Sequence, residues 1–244
     1  MFATVFIFAF ITVHVTAEIP SYIHVCGRRD PNINQCIMNN VENLKNKLCD
    51  GIPELYIESN NPLLLDTLTI INTPENKIYF RDVEITGLCD YIIHFIYFDI
   101  DKLHFDVDLL FTQLQINGTY DIDLRILATP IIQKGKVYFT SDNVGAKVNA
   151  DLKIVTKNGK RYVYISKMKV NLDIKGYNME FDQIQMPQLK QLNEIVRNFL
   201  GNNQKEIIRT LKPFLEEVVT KQTISVSNRI VTHFTYEELF PDRT

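Results

Sequence analysis

The sequence predicts an α+β protein, one broad antiparallel sheet with an apolar face covered by a long C-terminal helix. The first observation is alternation. From Ile116 to Ile126, Ile116, Gly118, Tyr120, Ile122, Leu124 and Ile126 alternate with Asn117, Thr119, Asp121, Asp123 and Arg125. The same pattern recurs where Val144, Ala146, Val148, Ala150, Leu152 and Ile154 alternate with Gly145, Lys147, Asn149, Asp151 and Lys153, and again through Met168, Val170, Leu172 and Ile174. Successive strand residues point to opposite faces, so each segment has one buried side and one wet side. The second observation is a change of period after Pro187 to about 3.6 residues, the period of a helix. Its apolar stripe is the cover that a half-buried sheet requires.

Before these elements stands an apolar run, Val5 to Val13, followed by Val15-Thr16-Ala17. This reads as a secretory signal peptide over 1–17, with the mature chain starting near Glu18. The run is shorter than the roughly 20 apolar residues of a membrane span, and no other segment reaches that length. Residues 18–244 contain no Pro/Gly/Ser-rich linker and are read as a single domain. In an oxidising compartment Cys26 and Cys36 should close a short loop, worth about 2–4 kcal/mol. Cys49 and Cys89 either pair with each other or remain as buried thiols behaving as small hydrophobes.

A helix follows, with Asp30 as cap, Pro31 in the first turn, a face of Ile33, Ile37, Val41, Leu44 and Leu48, and a stop at Gly51 and Pro53. Strands are expected over Leu63–Ile71 and Ile78–Ile85, then a long run from Tyr91 to Phe111 that shifts phase near Asp101-Lys102. In the C-terminal region one stripe comprises Leu189, Leu192, Ile195, Val196 and Phe199. A second runs through Ile207, Leu211, Phe214, Leu215, Val218, Gln222, Val226 and Ile230, with a kink at Pro213.

Six short signatures then carry a family resemblance: Cys-Gly-Arg-Arg-Asp-Pro-Asn-Ile-Asn-Gln-Cys (26–36), Gly-Ile-Pro-Glu-Leu (51–55), Asn-Pro-Leu (61–63), Thr-Gly-Leu (86–88), Gly-Thr-Tyr (118–120) and Tyr-Glu-Glu-Leu-Phe (236–240). In this order they resemble the insect Takeout and haemolymph juvenile-hormone-binding family across the mature chain. The resemblance implies a long helix wrapped by a strongly curved antiparallel sheet, with an elongated apolar tunnel for terpenoids, fatty acids or related lipids. Tyr120, Ile122, Leu124, Val148, Met168, Val170 and Leu172 would line that tunnel from the sheet. Ile207, Leu211, Phe214, Leu215 and Val218 would line it from the helix. The family's Leu-Pro-Ile-x-Gly-x-Gly run is kept only in part over 128–135, and its usual Trp is replaced in the Asn202-Asn203-Gln204 region. Moth hormone carriers have a second disulfide to the C-terminal half, whereas no cysteine follows Cys89 here, which favours the Takeout-like members.

Other function classes find little support. The chain has 244 residues, 45% hydrophobic and 23% charged, and its net charge of -3 gives no footprint for nucleic acid. No Gly-x-Ser-x-Gly, phosphate loop, CxxC or HExxH occurs, so no enzyme, metal or cofactor is expected. Asp99, Asp101, Asp106, Asp108, Asp121 and Asp123 read as a solvated strand face, not a calcium site. His94 and His104 have no face assigned by pattern. Asn117-Gly118-Thr119 is a glycosylation sequon, and Arg28-Arg29 reads as a solvated disulfide loop before a processing site. Tyr120, with the polar tip of its strand's inward side, either meets a ligand head group or is core. The reading is a secreted, monomeric carrier of a small hydrophobic ligand, without stable membrane insertion and with an unidentified receptor; the alternatives are a lipid-transfer or membrane-binding protein and an interaction module without a ligand.

Overall fold

The computed structural model describes residues 19–55, 57–126, 129–181, 198 and 201–244. The signal peptide over 1–17 and the stripe from Leu189 to Phe199 lie outside these residues. The strands are β1 (Leu63–Asn72), β2 (Lys77–Thr86), β3 (Tyr91–Asp99), β4 (His104–Ile126), β5 (Thr129–Lys157), β6 (Lys160–Asp173) and β7 (Asn178–Phe181). The helices are α1 (Ile33–Asp50), α2 (Gln204–Val231) and α3 (Tyr236–Leu239). All seven strands form one curved antiparallel sheet in the order β1-β2-β4-β5-β6, with β3 beside β4 and β7 beside β5.

β4 and β5, of 23 and 29 residues, are the spine. Their register runs without slippage from His104↔Asp151 to Ile126↔Thr129. At one end they are flanked by β3 and β6, at the other by β2 and β7. The buried positions change parity halfway along. Val144, Ala146 and Ala150 are buried on one side of the break, Val137 and Tyr120 on the other. The break lies between Phe111↔Val144 and Gln113↔Asp142, where Asn143 has φ 54° and the Gln113 amide donates to Asp142 at 2.7 Å. Asn is among the few residues that tolerate this left-handed backbone. Because both strands switch together, the apolar side stays continuous through the bend.

The expected single run from Tyr91 to Phe111 is instead a hairpin. The chain turns at 100–103, where the Asp99 carboxylate accepts from the Lys102 N–H at 3.0 Å and Leu103 has φ 52°. The phase shift falls earlier, at a bulge between Ile93 and Phe95 that leaves His94 exposed. The first helix also begins later than the cap signal suggests. Asn32 is the N-cap, and Asp30 accepts from the Asn32 N–H at 2.7 Å, so the Asp-Pro pair shapes the approach and the helix starts after it.

The β3 and β6 edges of the sheet are met by helix side chains. On β3, the Phe98 N–H donates to Asn34 at 2.7 Å and the Tyr91 carbonyl accepts from Lys45 at 2.5 Å. On β6, the amide of Asn228 bonds both the N–H and the C=O of Ile165, at 2.7 and 3.0 Å, and Glu216 accepts from the Leu172 N–H at 2.8 Å. Gln204 does the same for Tyr177 beyond the strand. An exposed strand edge otherwise presents unpaired backbone groups. This docking rotates the second half of α2 relative to the predicted stripe: Gln222 and Val226 are exposed, while Ile224, Asn228 and Val231 turn inward. Ile154, expected inside, is also exposed, close to the hairpin end of β5.

The C-terminus closes this end of the molecule. Phe240 stacks on Phe98 with centroids 5.1 Å apart, and Arg161 of β6 pairs with Glu237. Asp242 binds both Arg28 and Arg29, so the dibasic pair is engaged in an ion pair within the disulfide loop. The Arg28 guanidinium holds the Asp242 carboxyl below its ordinary range. Both cysteine pairs are formed: Cys26–Cys36, as expected, and Cys49–Cys89, which ties the end of α1 to the β2–β3 connection.

His104 lies on the outer face, its Nδ1 2.7 Å from Asp151 and its Nε2 3.3 Å from Asp106. Hydrogen bonding to Asp151 raises its pKa, so its stabilising contribution is full below the unfolded value of about 6.5 and disappears as pH rises through the folded value. The melting-temperature gap between parent and His104→Gln should therefore be widest in mild acid and close on the alkaline side; a gap that widens with pH would contradict the pairing. Replacing Asn228 by Ala leaves two backbone groups of β6 without their partner and should cost about 1–3 kcal/mol in urea unfolding. Gln222→Ala, on the exposed side, should stay within about 0.5 kcal/mol, and equal losses would mean that α2 docks by its other face.

Candidate functional site

The candidate site is the apolar face that β4, β5 and β6 share, and the register shows which side chains meet on it. In the α1-proximal half, one row runs Phe98, Phe105, Ala150, Met168, and the next Ile96, Val107, Val148, Val170. A third places Leu109, Ala146 and Leu172 side by side. Ala146, Val170 and Leu172 form a buried cluster, with Val148, Met168, Phe111 and Leu215 of α2 packed against it. Five of the residues predicted from sequence therefore meet here: Val148, Met168, Val170, Leu172 and Leu215. Ile207, Leu211, Phe214 and Val218 are half-buried along the same helix.

Beyond the kink the lining changes character. Tyr120 is buried and meets Phe181 edge to face at 5.7 Å, while Phe80 meets Phe139 at 5.9 Å and Phe139 meets Tyr177 at 6.2 Å. Gly135, opposite Tyr120, makes this possible: a Cβ there would lie 2.7 Å from the tyrosine hydroxyl and 2.8 Å from its ring. The Tyr120 ring thus lies across bare backbone. Burial raises the pKa of Tyr177, so its phenol stays protonated. Ile122 sits between Ile78 and Gln133 in the next row, half-buried, and Leu124 continues the same register opposite Ile131.

Phe80, Phe139, Tyr177 and Phe181 escaped the sequence reading. The signal for Phe139 was present. Gly135, Val137 and Phe139 alternate with Lys134, Lys136 and Tyr138 as regularly as the segments that were recognised. Tyr177 and Phe181 lie in and beside a four-residue strand, too short for a period to show.

Charge is kept to the opposite side. No polar or charged residue among those described is buried, and Asp106, Asp108 and Asp121 pair on the outer face with His104, Lys147 and Lys134. The predicted reading of the carboxylate ladder as a solvated face agrees with this arrangement. Among the described residues no group of His, Cys, Asp or Glu could hold a metal ion. No helix among them is long and apolar enough to cross a membrane. A surface hollow of about 380 Å³ beside α1 is lined by His24, Asp30, Cys36, Asn39, Asn40 and Asn43, none of them a residue of the sheet. Asn117 lies half-buried in β4 between Glu84 and Tyr138. What the apolar face can do chemically is shelter hydrophobic surface from water.

Comparison with known proteins agrees with this architecture. The chain is 21% identical over 232 residues to the circadian clock-controlled protein daywake of Drosophila melanogaster, covering 91% of this chain and 88% of that protein. It is 20% identical to a putative beta-carotene-binding protein of Schistocerca gregaria, covering 91% and 89%. The crystal structure of Epiphyas postvittana Takeout 1 superposes with a TM-score of 0.72 at 18% identity, covering 89% of this chain and 99% of that one. The model of the haemolymph juvenile hormone binding protein family matches residues 4–241, and the chain belongs to that family.

Proposed function

We propose that the protein is a secreted carrier that holds a small hydrophobic ligand, a terpenoid, fatty acid or similar lipid, along the inner face of its sheet. The observation that carries this reading is the continuity of the apolar face through the kink, aliphatic around Val170 and Leu172 and aromatic around Tyr120 and Phe139. An ordinary half-buried sheet needs no bend that switches two strands in phase to keep one side apolar. A family named for a hormone-binding protein and a relative named for binding beta-carotene support a lipophilic cargo. Two disulfides and the predicted leader over 1–17 support an extracellular location and a single domain over 18–244. The protein acts by binding, as a monomer with an unidentified receptor, and no reaction is assigned to it.

Magnitudes permit this function. Burial gives roughly 0.8 kcal/mol per methylene, about 12 kcal/mol for fifteen carbons, against an association cost of roughly 4–15 kcal/mol. An apolar face already held in shape by the sheet keeps that cost low. Tyr120 is the proposed contact for a ligand's polar end, and Ile122 and Leu124 its apolar neighbours. The remaining lining comes from Val148, Met168, Val170 and Leu172, with Ile207, Leu211, Phe214, Leu215 and Val218 of α2.

Solvent extraction of protein from its native fluid, followed by mass spectrometry, should recover a stoichiometric apolar compound. Ile122→Trp should abolish binding of an apolar fluorescent probe while leaving the melting temperature nearly unchanged. Asp123→Trp, on the outer face, should alter neither. Destabilisation at Ile122 of about 1–3 kcal/mol, with no probe bound by the parent, would identify close-packed core and reject the carrier. Tyr120→Phe should weaken binding of a ligand with a polar head by roughly five- to tenfold, about 1 kcal/mol for a lost hydrogen bond, and leave a pure hydrocarbon unaffected.

A further inference from the structure

We propose that the tip of the β5–β6 hairpin docks the protein onto anionic lipid membranes. Between Asp151 and Asp173 the chain carries Lys153, Lys157, Lys160, Arg161, Lys167 and Lys169 and no Asp or Glu, in a protein whose net charge is -3. Elsewhere on the outer face several cations are answered by carboxylates, as in Lys134–Asp121 at 2.9 Å and Lys147–Asp108 at 3.4 Å. Arg161 is held by Glu237. Lys153, Lys157, Lys160, Lys167 and Lys169 form no ion pair among the described residues. The basic character of this hairpin is therefore not neutralised by its neighbours.

The tip's shape and apolar content say what it meets. Lys157 and Lys160 close a two-residue turn in which Asn158 and Gly159 have φ 52° and 75°, the backbone that tight hairpins favour. A Cβ at Gly159 would find no atom within 4 Å, so the turn projects into open space. Every residue from Lys153 to Arg161 is exposed, including Ile154 and Val155, at 36% and 47%. Val155 pairs with Tyr162, and the flanking pairs are Lys153 with Tyr164 and Lys157 with Lys160. A merely solvated strand needs the lysines but not a valine and an isoleucine between them. An acidic protein surface would answer the lysines and leave those two apolar side chains unused.

An anionic bilayer satisfies both halves. Valine, isoleucine and tyrosine suit the boundary between head groups and acyl chains, and lysine stems reach outward to phosphates. The inner side of the same hairpin carries Ala150, Met168 and Val170, so docking would bring the wall of the apolar face to a lipid surface. The proposal goes beyond the carrier function, and its test does not require that a cargo be known.

The mature protein would be sedimented with phosphatidylcholine vesicles, with and without phosphatidylserine, at low and physiological salt. Binding should be at least about tenfold tighter to the anionic vesicles and should weaken with salt, since screening acts over about 8 Å at physiological ionic strength. Lys157→Gln combined with Lys160→Gln should lower affinity about 25-fold, roughly fivefold per lysine. Val155→Asp should lower it further at unchanged fold. Lys136→Gln combined with Lys205→Gln makes the same charge change away from the tip and should leave binding within about twofold. Failure to bind anionic vesicles, equal binding to neutral ones, or an equal loss in the control pair would each overturn the proposal. All these positions are exposed, so melting temperatures of the variants should coincide with the parent's.

Discussion

A curved sheet that does not close on itself has edges, and their unpaired N–H and C=O groups are the constraint on which the rest of this structure depends. The solution is the same at β3 and at β6. A helix lies along the edge and extends polar side chains to the strand backbone: Asn34 and Lys45 from α1, Glu216 and Asn228 from α2. The helices therefore attach through hydrogen bonds as well as apolar contacts. This accounts for a long helix with no fully buried residue and for the inward turn of Asn228. Glu216 and Asn228 are separated by about a third of a turn on an ideal helix, so an edge reaching both must wind partly around it.

With its β3 and β6 edges held, the sheet can carry a continuous apolar side on which charge is absent among the buried residues. The two halves of that side are built differently. On the α1 side of the kink, the small side chain of Ala146 lets Leu215 approach the strands. Past the kink, glycine at 135 lets an aromatic ring lie on the backbone, and edge-to-face contacts extend from Tyr120 to Phe181. Closure at the α1 end relies on Phe240 against Phe98 and on Asp242 bridging the disulfide loop.

Much of this was legible from sequence, because period and face are local properties. Alternation assigned the inward residues of β4 beyond the kink and those of β5 and β6 on its α1 side, Ile154 excepted, and the register sets Val148, Met168, Val170 and Leu172 in neighbouring rows. Helical spacing found α1 and α2. What escaped was non-local or geometrical. The turn at 100–103 has neither Gly nor Pro, and its left-handed residue is Leu103, which no turn signal marks. The second half of α2 was read by hydrophobicity, but an amide that pairs with Ile165 outweighs a valine at position 226. The pairing of Cys49 with Cys89 depends on where the β2–β3 connection falls relative to α1, which spacing does not encode.

The unbroken register between β4 and β5 also governs how the family's members can change in length. Removing one residue from either strand would turn every later side chain to the wrong face. Away from the bend, matched removals or insertions of two residues in both strands preserve the inner lining, each altering the sheet by about 7 Å. The molecule is in this sense a ruler graduated in paired steps, and cargo of different lengths would be accommodated by evolution in those increments.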